Sequence, residues 1–466
     1  MTQDRNKKLA KDIVIYGIGN IGSKLLTFLL IPFLTFFIER GEMGYFDLAV
    51  TTIMLLLPVI TLQMREPLFR FLIHNNDETY RKNILSTTFF IESGIFLLIL
   101  ISSLFIPFFF QIRYFSLIII SIYVYSFYEL YLQVVRVVYS ATKFMIMGLI
   151  TSFLTVTLCI LLLFIMDMSI EALFIGNILS RVISMIIIEL PKRKFIKNLS
   201  VKHIKKANIK EIFNYSMPML AAAIAFGIIT SCGKFIVNEY LGLEDNGDFA
   251  VSEKYTTIIL ILGLTFYQAW QVTAVKNFRE EGSSAFFSDV FNKYAILLSL
   301  IVVCISFGIR SFDFILVEEK YHQSIDLIFV YGAGVMFYCY AMFQEIVFQC
   351  TKQTSKILYS ILSCAVIAPI ISIFLIKEYG LMGNVAAICF SYAYLFIFRY
   401  FQTRKILHIR FGRGFIYSFL ALIGCGVLFY GAHNRILDFS VMTISAVTLL
   451  LYFIYMKKKY LRKTSI

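Results

Sequence analysis

Apolar residues run along this chain in fourteen stretches of roughly 20 to 27 residues, separated by short polar connections. A helix rises about 1.5 Å per residue, so such a stretch matches the ~30 Å hydrocarbon layer of a bilayer. The pattern predicts transmembrane helices over about 12–38, 45–73, 84–110, 114–138, 144–166, 170–190, 212–238, 249–275, 288–309, 325–349, 357–376, 381–402, 414–432 and 439–456. The expected fold class is an all-α polytopic membrane protein.

Charge adds an orientation. Of the 43 Lys and Arg, 28 fall in one alternate set of connections, 6 in the other and 9 inside the apolar stretches. Basic residues resist translocation, so the richer set belongs to the cytoplasm and both termini face it. The first stretch follows Arg5, Lys7, Lys8 and Lys11 and has no small-residue cleavage site, which makes it a retained span. The net charge of +14 sits in cytoplasmic connections and in the tail Lys457, Lys458, Lys459, Arg462 and Lys463. Anionic membrane lipids fit that placement and nucleic acid does not.

Composition agrees: 59% hydrophobic, 15% charged and a mean hydropathy of +0.79 exclude a water-soluble core. All eight cysteines lie in or beside apolar stretches without a CxxC pair, so no disulfide framework, metal site or cofactor is expected. Gly17 to Gly22 spells GxGxxG, but within a span, with no strand before it, those glycines serve helix packing or bending.

One connection is long. Pro191 to Glu211 carries eight Lys and Arg and no acid before Glu211, and it separates two halves. Gly44-Tyr45-Phe46-Asp47 returns as Gly247-Asp248-Phe249-Ala250, and Lys11-Asp12-Ile13 with Tyr16 returns as Lys210-Glu211-Ile212 with Tyr215. The expected division is a six-helix lobe over 1–205, a second over 206–402, and two additional helices with a basic tail over 403–466. Both copies start from the same side, as in a parallel repeat with a substrate path between the halves.

Charges inside spans are costly and mark function or pairing. Lys254, Lys293, Arg70 and Arg399 stand near helix ends, where a long side chain snorkels to the interface. Lys24 and Arg181 fall mid-span and need a cavity or a partner. Lys24 continues a stripe with Asn20, and Arg181 one with Asn177 and Ser184. In the fourth span Tyr125, Glu129, Gln133, Arg136 and Ser140 share one helical face. Lys24, Arg65, Arg136 and Arg181 together suit an anionic ligand, since arginine holds phosphate oxygens in pairs and lysine adds a point charge. Internal pairing of these bases with Glu66, Glu92 and Glu129 is the alternative. Coupling to an ion would draw on Glu66, Glu92, Glu129 or Glu345.

Several segments resemble a known family: Lys11-Asp12 with Tyr16, Glu39 to Leu48, Tyr215-Ser216-Met217-Pro218, Lys234-Phe235-Ile236-Val237, and Gly247 to Ala250. They are similar to bacterial polysaccharide repeat-unit flippases of the Wzx type, which serve O-antigen and capsule synthesis. These transporters share a superfamily with multidrug exporters and lipid II flippases. In that family an acid often precedes the lysine matched by Lys234, and here the residue is Gly233.

The resemblance implies two lobes around a cavity that opens alternately to each side of the bacterial cytoplasmic membrane. It implies a cargo of undecaprenyl-diphosphate-linked oligosaccharide, no covalent chemistry, and possible partners among other polysaccharide-assembly membrane proteins. Lys24, Arg65, Arg136, Arg181, Asn20, Tyr125, Gln133 and Lys234 would then line the diphosphate and sugar site. A drug or cation exporter is the alternative. A polymerase or ligase fits less well, because the longest outward connection, 310–324, is short for a catalytic platform.

Overall fold

The computed structural model describes residues 22–24, 26–65, 68, 71–72, 77–109, 111–166, 168–191, 193–204, 206–351, 353–432 and 434–464. Among these the chain is helical, with no strand. The elements are α1 (Leu30–Phe37), α2 (Arg40–Ile60), α3 (Glu78–Ser103), α4 (Phe115–Val134), α5 (Ala141–Ile165), α6 (Ile170–Glu189) and α7 (Lys194–Asn198). They continue as α8 (Lys206–Tyr240), α9 (Leu243–Asn277), α10 (Ser283–Ser311), α11 (His322–Cys350), α12 (Thr354–Thr403), α13 (Arg413–Gly431) and α14 (Arg435–Thr464). Among the described residues, eleven helices are long and apolar enough to cross a membrane. One of them, α12, turns at Gly380 with φ 57°, a conformation glycine adopts freely, and so holds the expected eleventh and twelfth spans.

Local sequence explains the helix ends. Asp77 caps α3 by accepting the Thr79 N–H at 3.0 Å, and Ser140 caps α5 by accepting that of Lys143 at 3.2 Å. Before Ser140, residues Val135–Tyr139 form a π turn that continues α4. The extra residue per turn rotates whatever follows, so the expected common face from Tyr125 to Ser140 does not stay in register.

Packing divides the chain into two compact units, Met1–Phe33 with Tyr45–Ser231, and Leu34–Gly44 with Cys232–Ile466. In the first, Met64, Leu68 and Leu72 pack with Tyr128, Tyr131 and Val134 of α4, Ile188 of α6 and Phe195 of α7. In the second, α11 is the central helix, largely buried, and it packs along α9, α10 and α12. The last hairpin is fastened to α10 by Arg310, whose Nε donates to Asp438 at 2.9 Å and whose Nη2 donates to the Ala432 carbonyl at 2.5 Å. Arg435 returns a bond to Asp313 at 3.2 Å.

The leading glycines of the two repeat copies, Gly44 and Gly247, meet inside the second unit. A Cβ on Gly44 would strike the Leu243 carbonyl, and one on Gly247 the Arg40 carbonyl, so only glycine permits this helix crossing. Asn246 Nδ2 donates to the Gly44 carbonyl at 3.0 Å, and Arg40 pairs with Asp248 at 2.5 Å.

Candidate functional site

The second span does not run unbroken over 45–73 as its apolar pattern predicts. Helix α2 stops at Ile60, and residues 61–64 form a turn in which Leu62 and Gln63 both take positive φ, 46° and 52°. The left-handed conformation costs a side-chain-bearing residue roughly 1–2 kcal/mol, so two in succession need tertiary support. Pro58 lies just before the break, and its carbonyl accepts the Gln63 N–H at 3.0 Å. Within a bilayer, irregular backbone is tolerated where it lines a cavity.

Such a cavity is present. A pocket of about 110 Å³ is lined by Pro58, Thr61, Gln63, Arg65, Glu92, Ser126 and Glu129, with Met54, Leu57 and Leu130 as its apolar wall. That volume has room for several waters. Arg65, just past the break, donates from Nη1 to Glu129 of α4 at 3.2 Å, and both side chains are about one-third exposed, 34% and 32%. Glu92 of α3 is 6% exposed and accepts a hydrogen bond from Ser126 Oγ. Two carboxylates and one guanidinium thus share the pocket.

One turn away on the same helix, α4 presents two tyrosine rings to Arg181. The guanidinium carbon lies 3.7 Å from the Tyr125 ring centroid and 5.6 Å from that of Tyr128. Nη1 donates to the Asn177 carbonyl at 2.8 Å and to Asn177 Oδ1 at 2.9 Å, and Tyr125 Oη donates to the same amide oxygen at 3.3 Å. Behind it, Thr151 bonds Ser184 at 2.8 Å and Thr155 bonds Ser180 at 2.7 Å, fastening α5 to α6. This hydroxyl ladder escaped the sequence reading, although Thr151/Thr155 and Ser180/Ser184 each have helical i, i+4 spacing.

The other expected residues are distributed differently. Lys24 is exposed, Gln133 is half-buried, and Arg136 stands in the π turn with its guanidinium 5.8 Å from the Phe144 ring. Asn20, Glu66 and Arg70 lie outside the described residues.

Two bases within helices of the second unit, Lys234 and Arg399, are held by acids. Lys234 pairs with Glu253 at 2.6 Å, and Tyr331 Oη donates to the same carboxylate at 3.4 Å. The acid missing at Gly233 is therefore supplied from α9. Arg399 corrects the expectation of a snorkelling side chain: it is 1% exposed, because α11 covers it. Its guanidinium donates to Glu345 at 3.0 Å, to the Ala341 carbonyl at 2.9 Å and to Ser360 Oγ at 2.9 Å. Glu345 also accepts from Tyr267 Oη at 3.2 Å and Gln349 Nε2 at 3.1 Å. Among the described residues, no group of three His, Cys, Asp or Glu is placed to hold a metal.

This helical architecture is similar to several solved structures. The lipid II flippase MurJ in an inward closed conformation aligns with a TM-score of 0.66 at 15% identity, over 96% of this chain and 100% of that one. An inward-facing multidrug resistance MATE family transporter of the MOP superfamily aligns with a TM-score of 0.63 at 14% identity, over 88% and 95%. A MATE transporter of Vibrio cholerae gives 0.61 at 12%, over 88% and 99%. At these identities the likeness is one of fold. No curated protein matches the sequence. The family described as polysaccharide biosynthesis protein matches residues 9–272, more than half of the chain. With that match over a helical, many-span architecture, the chain belongs to the polysaccharide biosynthesis protein family.

Proposed function

We propose that this protein is a flippase that moves an undecaprenyl-diphosphate-linked oligosaccharide repeat unit from the cytoplasmic to the outer leaflet of a bacterial cytoplasmic membrane by alternating access. A sugar-diphosphate headgroup cannot enter hydrocarbon unaided, and a wet polar pocket that holds an arginine substitutes for water while the polyprenyl tail stays in lipid. Family membership and the fold support this reading.

The observation that carries it is the way the first unit holds its arginines. Arg65 has a half-open ion pair and Arg181 has aromatic faces and one amide, arrangements that a diphosphate can displace or join. A partly exposed pair is worth only about 0.2–1 kcal/mol, so exchanging Glu129 for phosphate costs little. Glu129, released, and Glu92 are the two carboxylates of the pocket available for ion coupling. To Tyr125 and Gln133 on α4, with Lys24, the proposal assigns contacts with sugar and phosphate oxygens.

Surface glycan display tests this. Lys24→Ala and Arg181→Ala each lower display at normal membrane abundance, and full display in both variants contradicts the proposal. A second reading, a drug or cation exporter, draws on the carboxylates of the same pocket. It predicts resistance to cationic dyes on expression, abolished by Glu129→Gln.

A further inference from the structure

The connection between α6 and α8 is basic and has no acid from Pro191 to Lys210. Positive charge alone orients spans during insertion, and a coil would suffice for that. Here the segment is docked. Glu189, the last residue of α6, is 8% exposed, and its carboxylate accepts four hydrogen bonds. They come from Tyr131 Oη at 2.9 Å, Tyr139 Oη at 2.5 Å, and the N–H groups of Phe195 and Ile196 at 3.0 Å each. Phe195 is 3% exposed, with its ring edge-on to Phe89, Phe127 and Tyr131. Ser86 of α3 donates to the Asn198 carbonyl at 3.2 Å and accepts the Ser200 N–H at 3.1 Å.

Anchored from α3, α4 and α6, the segment turns the other way what is not buried. Arg193, Lys197 and Lys202 are exposed, and so are two aliphatic side chains, Leu190 at 58% and Ile196 at 60%. Arg193 takes φ 49°, a left-handed conformation unfavourable for arginine, and caps the start of α7, its carbonyl accepting the Lys197 N–H at 3.0 Å. All of this stands where α6, a helix long and apolar enough to cross a membrane, ends. Cations beside exposed aliphatic groups at that depth match a surface whose phosphates lie just outside its acyl chains.

We propose that Leu190 and residues 193–203 form a docked platform that binds the anionic phospholipid headgroups of the leaflet at that end of α6. The platform is distinct from the pocket at Arg65 and from the Arg181 site, and its binding of phospholipid does not depend on which cargo the protein carries. Its test uses the full-length protein in nanodiscs of phosphatidylcholine with a minority of phosphatidylglycerol, and native mass spectrometry counts the phospholipid retained. The wild type retains phosphatidylglycerol preferentially, and the triple variant Arg193→Gln, Lys197→Gln, Lys202→Gln lowers that preference at least about fivefold. Phe195→Ala keeps every charge but removes the central anchor, and it lowers the preference comparably. Equal retention in the triple variant overturns the proposal. So does unchanged retention in Phe195→Ala, which would reduce the effect to net charge. Loss of added polyprenyl diphosphate with phosphatidylglycerol retained would make the segment a cargo seat and overturn it as well.

Discussion

Arg65 and Arg399 are both arginines within spanning segments with a glutamate oxygen near 3 Å, and burial separates their roles. Removing one partner of a buried pair leaves an uncompensated charge and costs about 3–5 kcal/mol, whereas a partly exposed pair is worth under about 1 kcal/mol. Arg399→Met therefore lowers the melting temperature in detergent sharply, and adding Glu345→Gln recovers part of the loss. Arg65→Gln leaves melting nearly unchanged and reduces glycan display. A thermal-shift series with an immunoblot for display checks both, and equal melting of the two single variants would contradict this division. The sequence placed both residues inside spans but not their depth. Arg399 lies a few residues from the end of its apolar stretch, and only the packing of α11 over it makes it a core residue.

At the scale of the element, the break at 61–64 forms the pocket wall, and two residues hold it in left-handed conformation. Gln63→Gly fits that conformation and keeps display near the wild-type level. Gln63→Val opposes it with a β-branched side chain and lowers display without loss of membrane abundance. Unimpaired Gln63→Val would show that the break is dispensable. The glycine crossing is stricter: Gly44→Val and Gly247→Val each drive a side chain into backbone, so neither variant accumulates as a monodisperse species in fluorescence-detected size exclusion. The sequence marked these glycines as members of a repeat, since repetition is visible along the chain. It did not mark the break, because Pro58 alone is compatible with a kinked continuous helix and contacts from α3 and α4 decide the outcome. Likewise the acid for Lys234 comes from Glu253, nineteen positions along and on another helix, so inspection of Gly233 could not find it.

For the whole molecule, apolar length carried the all-helical, many-span architecture, since a bilayer imposes span length directly on sequence, and the alternation of basic residues adds an orientation to be tested. Reporter fusions test the orientation. Fusions after residues 143, 210, 279 and 356 report the cytoplasm, those after 113, 320 and 435 report the outside, and any exchange between the sets overturns the assignment. The central claim is that the first unit seats a diphosphate on Arg65 and Arg181. The most direct test is the affinity of purified protein for an undecaprenyl-diphosphate-linked oligosaccharide, compared with Arg65→Gln and Arg181→Gln. Loss of a charge-assisted phosphate contact worth about 1.5–3 kcal/mol predicts affinity lower by roughly tenfold or more in each variant, with melting unchanged. Wild-type affinity in both would contradict the account.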